Sequence, residues 1–150
     1  MKKNIIVFFA IVTAMLFVDL LTKYLTDGHD MSVHNDGIAF GLFGNMRVLF
    51  VILNLLLSGC AVVAWWLYIV KKTGIVNDIM NVGFALFICG AIGNLYDRIF
   101  FGYVRDFIKM PLFSPIFNVA DICLTIGTGI LVICYCIASF KKTEKTGNAT

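Results

Sequence analysis

Asp106 and Asp121 flank an aromatic stretch in an otherwise apolar chain, and a fold that brought them together would create a hydrolytic pair. Two carboxylates held in a partly desolvated place repel one another, so one pKa rises and the pair shares a single proton. One carboxylate then acts as general base on a water while the other, protonated, polarises the carbonyl under attack. Spacing alone leaves two unrelated surface aspartates as an alternative, because any outer loop of a membrane protein contains carboxylates.

Other polar residues gather at the same depth. Ionisable side chains among apolar runs are costly in a bilayer and are candidates for function by default. Asp19 and Lys23, at i and i+4, share one helix face and can neutralise one another, either as a structural ion pair or as part of a site. Gly90, Asn94 and Asp97 form one inward stripe with Arg98 beside it. Gly83, Gly90 and Gly93 permit close helix approach and Asn94 can bridge helices, so packing is one reading of that stripe. Asp97 and Arg98 can likewise form a partly buried pair. Asn118 and Asp121, three apart, share a face that Thr125 continues. Packing alone gives no reason for so many polar groups at one level.

These residues need elements that hold them at a membrane edge. Hydrophobic residues make up 60% of the 150 positions and charged residues only 14%, far from the balance of a water-soluble domain. Four apolar stretches, Ile5 to Leu21, Val48 to Val70, Ile79 to Tyr96 and Val119 to Phe140, are each long enough to cross hydrocarbon, some with tilt. The expectation is a single integral membrane domain over residues 1–150, all-α, with four transmembrane helices, a small extracytoplasmic β element and an interfacial amphipathic segment. Lys2, Lys3, Lys71, Lys72, Lys141, Lys142 and Lys145 fall on one side, against Lys23, Arg47, Arg98, Arg105 and Lys109 on the other. That bias places both termini in the cytoplasm. The net charge of +3 follows from topology and headgroup contact and implies no nucleic acid.

Met1-Lys2-Lys3 before an apolar run could open a secretory signal. The run is too long for one, no small-x-small cleavage site follows, and Asp19 and Lys23 stand where that site would be. Cys60, Cys89, Cys123, Cys134 and Cys136 all lie in apolar spans and read as small membrane-buried residues, not as a disulfide framework. His29 and His34 share a loop with Asp27, Asp30 and Asp36 and read as solvated residues in preference to metal ligands. In that loop, Tyr24 to Met46, the run His34-Asn35-Asp36-Gly37 is a turn signal that could end a short strand or hairpin. The second outer link, Ile99 to Phe117, is rich in aromatic and aliphatic residues as interfacial segments are, and Pro111 and Pro115 prevent one long helix.

In order along the chain, these pieces resemble the lipoprotein signal peptidases, or signal peptidase II, a family of bacterial membrane aspartyl peptidases. The resemblance is carried by Asp19 to Tyr24 with Lys23, by Asn35-Asp36-Gly37 with Ala39 and Phe40, by Gly90 to Arg98 with Gly93, Asn94 and Asp97, by Val104-Arg105-Asp106-Phe107, and by Phe117-Asn118 with Ala120 and Asp121. Five motifs in one order over nearly the whole chain are far more specific than any one of them. The resemblance implies a catalytic pair of Asp106 and Asp121, with Asp97 supporting. It implies that Asn35, Asn94, Arg98 and Asn118 line the substrate groove and steady the peptide or the catalytic carboxylates, and that Asp19, Lys23, Gly90 and Asp97 brace the site.

The implied substrate is a prolipoprotein whose cysteine already carries diacylglycerol, cut on the N-terminal side of that cysteine at the outer membrane face. No metal or organic cofactor is implied, and the expected partners are that substrate and membrane lipids, with the chain acting as a monomer. Two departures stand out. The stretch from Lys23 to Asn35 is shorter than is usual, implying a reduced extracytoplasmic sheet, and Cys89 stands where a second Gly commonly precedes Gly90.

Two rival classes fit parts of the pattern. In a small ion-coupled transporter, Asp19, Asp97 and Asp121 would form a cation relay, yet all three lie near outer helix ends and the inner halves offer little charge to continue a path. An assembly subunit with polar seams would explain the Gly and Asn residues but gives no reason for Asp106.

Overall fold

The computed structural model describes residues 2–27, 29, 31–35, 47–69, 74–111 and 113–147. Asp30, the continuation of the first outer motif through Asp36, Gly37, Ala39 and Phe40, and the Lys71-Lys72 pair lie outside these residues. Among the described residues four helices are long and apolar enough to cross a membrane: α1 (Lys2–Asp27), α2 (Arg47–Ala64, continued by a π-helical turn over Trp65–Ile69), α3 (Ile75–Phe100) and α4 (Val119–Gly147). Helices α1, α3 and α4 run past the apolar stretches that announce them. Hydropathy marks the hydrocarbon, whereas backbone groups gain from staying hydrogen-bonded into the interface.

The centre of the bundle is α3, which packs against α1, α2 and α4. Its buried face is made largely of small residues, including Gly83, Ala85, Cys89, Gly90, Ala91 and Gly93. Lipid tails are as apolar as leucine, so helices associate through close backbone packing, not through a hydrophobic drive, and small residues permit it. At Gly90 a Cβ would strike the Ala120 carbonyl oxygen and the Leu124 side chain of α4. Any larger residue there pushes α4 away, and with it the residues at the start of α4.

The end of the bundle at which α1 begins is closed by aromatic packing and a polar tie. Phe8 of α1 stacks on Trp65 with ring centroids 3.9 Å apart, against Phe84, Ala85 and Ile88 of α3. Trp65 Nε1 donates to Asn81 Oδ1 at 2.7 Å, and Asn81 Nδ2 donates to the Asn4 carbonyl at 3.0 Å. Buried amides demand such partners, so this chain of bonds fixes α1, the π-helical turn and α3 to one another.

The opposite end is built from strands β1 (Val33–Asn35), β2 (Val104–Asp106), β3 (Ile108–Met110) and β4 (Phe113–Phe117). Strands β1 and β2 pair antiparallel, with Val33 opposite Asp106, His34 opposite Arg105 and Asn35 opposite Val104. Strands β3 and β4 form a second antiparallel pair. Beyond the end of α3 the aromatic second link is therefore built of short strands, in keeping with the expectation that its prolines exclude one long helix. Pro111 lies in the turn between β3 and β4, and Pro115 lies on a two-stranded ribbon, where a missing N–H is tolerated. Entry into β2 depends on how α3 ends: the N–H groups of Phe101 and Gly102 both donate to the Asp97 carbonyl, at 2.8 and 3.2 Å, and Gly102 takes φ 93°. Glycine adopts that left-handed conformation without penalty and turns the chain out of the helix.

Candidate active site

Four carboxylates converge where α1, α3, α4 and β2 meet, and their partners divide them into two kinds. Asp19 and Lys23 of α1 are wholly buried and form an ion pair at 2.8 Å. Lys23 Nζ also lies 3.3 Å from Asp97 Oδ2 and donates to Asn94 Oδ1 at 3.3 Å and the Gly93 carbonyl at 3.4 Å. The i, i+4 pairing expected on α1 is thus present, and it reaches α3 as well. Asp97, also wholly buried, accepts from the Arg105 guanidinium through Nη2 at 2.8 Å and from the Arg105 backbone N–H at 3.0 Å. Among the described residues Asp97 forms ion pairs with Arg105 on β2 and with Lys23, and the adjacent Arg98 that the sequence suggested interacts with it through its charge. A helix places neighbours in sequence on different faces, and Arg98 points where its guanidinium meets the Asn94 carbonyl at 3.4 Å and the Phe50 ring of α2 at 5.8 Å.

The start of α4 is capped in a way that builds the site. Asn118 precedes the helix, and its Oδ1 accepts from the Asp121 N–H at 3.0 Å while Asp121 Oδ2 accepts from the Asn118 N–H at 3.2 Å. This reciprocal arrangement is a capping box formed by Asn and Asp. Asp19 Oδ1 accepts from the Ala120 N–H at 2.8 Å, so α1 satisfies a second orphan donor of α4. Carboxylates are favoured at this positive helix end.

The same Asn118 joins Asp121 to Asp106. Its Nδ2 donates to Asp106 Oδ1 at 2.6 Å and to Asn94 Oδ1 at 3.1 Å. Asn94 Nδ2 in turn donates to Asp121 Oδ1 at 2.7 Å, and Asn35 Nδ2 reaches across from β1 to Asp106 Oδ2 at 2.8 Å. Asp106 and Asp121 are therefore held by neutral amides, whereas Lys23 and Arg105 are engaged by Asp19 and Asp97. Arg98 stands near enough for its charge to interact with both Asp121 and Asp106. Asp106 is 2% exposed, and its carboxyl is pushed up to about 6, first by burial and then by the Asp121 charge, against the lowering effect of the Asn35 and Asn118 hydrogen bonds.

Asp121 is half-buried, and on its open side it borders an apolar groove of about 470 Å³. Ile122, Thr125 and Ile126 of α4 form one side of the groove, with Met110, Pro115 and Phe117 of the β3–β4 ribbon on the other. Of the residues expected at the site, Asn35, Asn94 and Asn118 hydrogen-bond to the carboxylates, Asp19, Lys23 and Asp97 form a charged cluster beside them, and Gly90 sets the approach of α4. Arg105 was missed. Only the alternating pattern of a strand starting at Val104 could have shown that it turns inward.

The fold that carries this cluster is shared with known proteins. Two solved bacterial membrane enzyme structures, obtained by the in meso method at 2.3 and 1.9 Å resolution, are similar to this chain with TM-scores of 0.71 and 0.72 and 28% identity. The likeness covers 97% and 90% of this chain and 92% and 93% of theirs. The fold is the one found in these bacterial membrane enzymes. Residues 10–137 match the family signal peptidase (SPase) II. The lipoprotein signal peptidase of Clostridium novyi (strain NT) is 34% identical over 143 residues, covering 86% of this chain and 93% of its own length. That of Actinobacillus succinogenes is 34% identical over 170 residues, covering 99% of each. The chain belongs to the signal peptidase II family and is a multi-pass membrane protease.

Proposed function

We propose that the chain is an aspartyl endopeptidase that removes signal peptides from diacylglyceryl-modified prolipoproteins, cutting N-terminal to the lipidated cysteine, with Asp106 and Asp121 as its catalytic pair. The observation that carries this reading is the bridging of both carboxylates by Asn118, with the Asn94 and Asn35 amides donating to Asp121 and Asp106 in turn. Such a pair retains one proton between its members, which is the state the chemistry needs.

Buried Asp106 keeps the proton and hydrogen-bonds to the scissile carbonyl oxygen. Asp121, open to the groove, takes a proton from water as the water oxygen attacks the carbonyl carbon. Collapse of the tetrahedral intermediate breaks the C–N bond, and the proton held by Asp121 passes to the departing amine. Water is the sole co-reactant, so we assign the step no metal or organic cofactor. Asn35, Asn94 and Asn118 fix the carboxylates, and Arg98 is placed to engage the peptide backbone of the substrate. All these residues come from one chain, which makes a monomer sufficient.

The apolar groove beside Asp121 supports a substrate that is itself largely apolar and approaches from the membrane. The side of the site follows from the lysine bias: with both termini cytoplasmic, the β strands and the pair lie at the outer face, where acyl chains, a signal helix and water meet. No observation favours the transporter alternative.

Purified protein will cut a diacylglyceryl-modified prolipoprotein at the bond preceding the modified cysteine and leave the unmodified precursor intact, as read by mass spectrometry of the products. Equal cleavage of both precursors, or a cut elsewhere, would contradict the assignment.

A further inference from the structure

Asp106 lies on a strand only three residues long, and a strand that short does not hold a carboxylate in place by its own ladder. What fixes β2 is the residue before Asp106. Arg105 is 5% exposed, although it lies in an outer connection where a cation would ordinarily reach for water. Its backbone N–H donates to Asp97 Oδ2 at 3.0 Å, Nε lies 3.4 Å from the same oxygen, and Nη2 donates to Asp97 Oδ1 at 2.8 Å. The guanidinium carbon stands 4.2 Å from the centre of the Phe101 ring, and Nη1 is 4.0 Å from Asp27 Oδ2 at the end of α1. Asp27 in turn lies 3.4 Å from His34 Nε2 on β1, which faces Arg105 across the strand pair.

We infer that Arg105 is a positioning residue: clamped between Asp97 of α3 and Asp27 of α1, it sets the place of β2 and so the place of the Asp106 carboxylate. This inference rests on the reading of Asp106 as a catalytic group. Side chains alternate along a strand, so Arg105 points to the α3 side and Asp106 to the Asn35 and Asn118 amides, and a shift of the first moves the second. Arginine suits the place because its planar fork engages both carboxylate oxygens and stacks on an aromatic ring together. Lysine offers a compact charge with its three donors on one nitrogen and no flat face. Displacement of a reacting group by about 1 Å costs on the order of 100-fold in rate.

The test compares wild type, Arg105→Met and Arg105→Lys in steady-state cleavage of the diacylglyceryl-modified precursor, with hydrogen–deuterium exchange of the peptide spanning residues 103–107. Arg105→Met is expected to lower kcat by about 10- to 100-fold with KM within about twofold of wild type. Its β2 amides will exchange faster while those of α3 near Gly90 do not change. Arg105→Lys, which keeps one contact to Asp97, will recover part of the loss in kcat and part of the protection, and it supplies the reading if Arg105→Met does not fold. Unchanged exchange across β2, a loss confined to KM, or a kcat within twofold of wild type in both variants would overturn the inference. Failure of the wild type to cleave would overturn the catalytic reading instead, and the exchange result would still decide whether Arg105 holds β2.

Discussion

Asp106→Asn and Asp121→Asn will each lower the cleavage rate by about 10³-fold or more, and the double variant will be no slower than the worse single one. Each substitution removes a different half of the reaction. Without a carboxylate at position 121, no base stands at the groove to take the proton of the attacking water. Without one at 106, the proton that polarises the carbonyl has no carrier, because an amide cannot move it. The two losses do not add, since a pair that shares one proton is disabled by the loss of either member. Asparagine nearly matches the shape of aspartate, so both variants are expected to fold, and circular dichroism in detergent checks this. A single variant that cleaves at near wild-type rate would remove that residue from the mechanism.

The largest loss of stability will follow Lys23→Met. Lys23 and its partners Asp19 and Asp97 are wholly buried, and removal of one member of a buried ion pair leaves an uncompensated charge at a cost of about 3–5 kcal/mol. Asp97 retains Arg105, but Asp19 loses the cation 2.8 Å away while still bound to the Ala120 N–H at the start of α4. Thermal unfolding in detergent will show a midpoint well below wild type, and Asp19→Asn added to Lys23→Met will restore part of it. A Lys23→Met protein as stable as wild type would mean that the pair is not a support of the site.

Much of this arrangement could be read from the chain. The four helices were legible because apolar residues run long enough to cross hydrocarbon, and that demand leaves little freedom. The Asp19–Lys23 pair was legible because helical spacing determines which residues meet. The strands were harder to see: aromatic residues crowd positions 99–117 on both faces, and the two prolines signalled only that no helix continues. Arg105 was hidden for a related reason, since its burial depends on β2 pairing with β1 from a distant part of the chain. The tie among Asn4, Trp65 and Asn81 was hidden too, because a single amide in an apolar run does not announce its partner.

The choice among aspartates had another source. Composition brought Asp19, Asp97, Asp106 and Asp121 to one end, and motif resemblance selected two of them. The geometry adds a physical distinction, because the cations Lys23 and Arg105 neutralise the first two and amides hold the other two.

That distinction is tested most directly by the pH dependence of single-turnover cleavage, measured from about pH 4 to 9 under conditions limited by chemistry. The Asp106 carboxyl, raised to about 6 by burial and by Asp121, is protonated below that value and loses the shared proton above it. The rate will therefore fall as pH rises through the upper limb, and fall again at low pH as the second proton silences the base. The profile will be bell-shaped, with limbs that belong to the coupled pair and not to either residue. A rate that climbs to a plateau at alkaline pH, with no descending limb, would contradict catalysis by a pair that shares one proton.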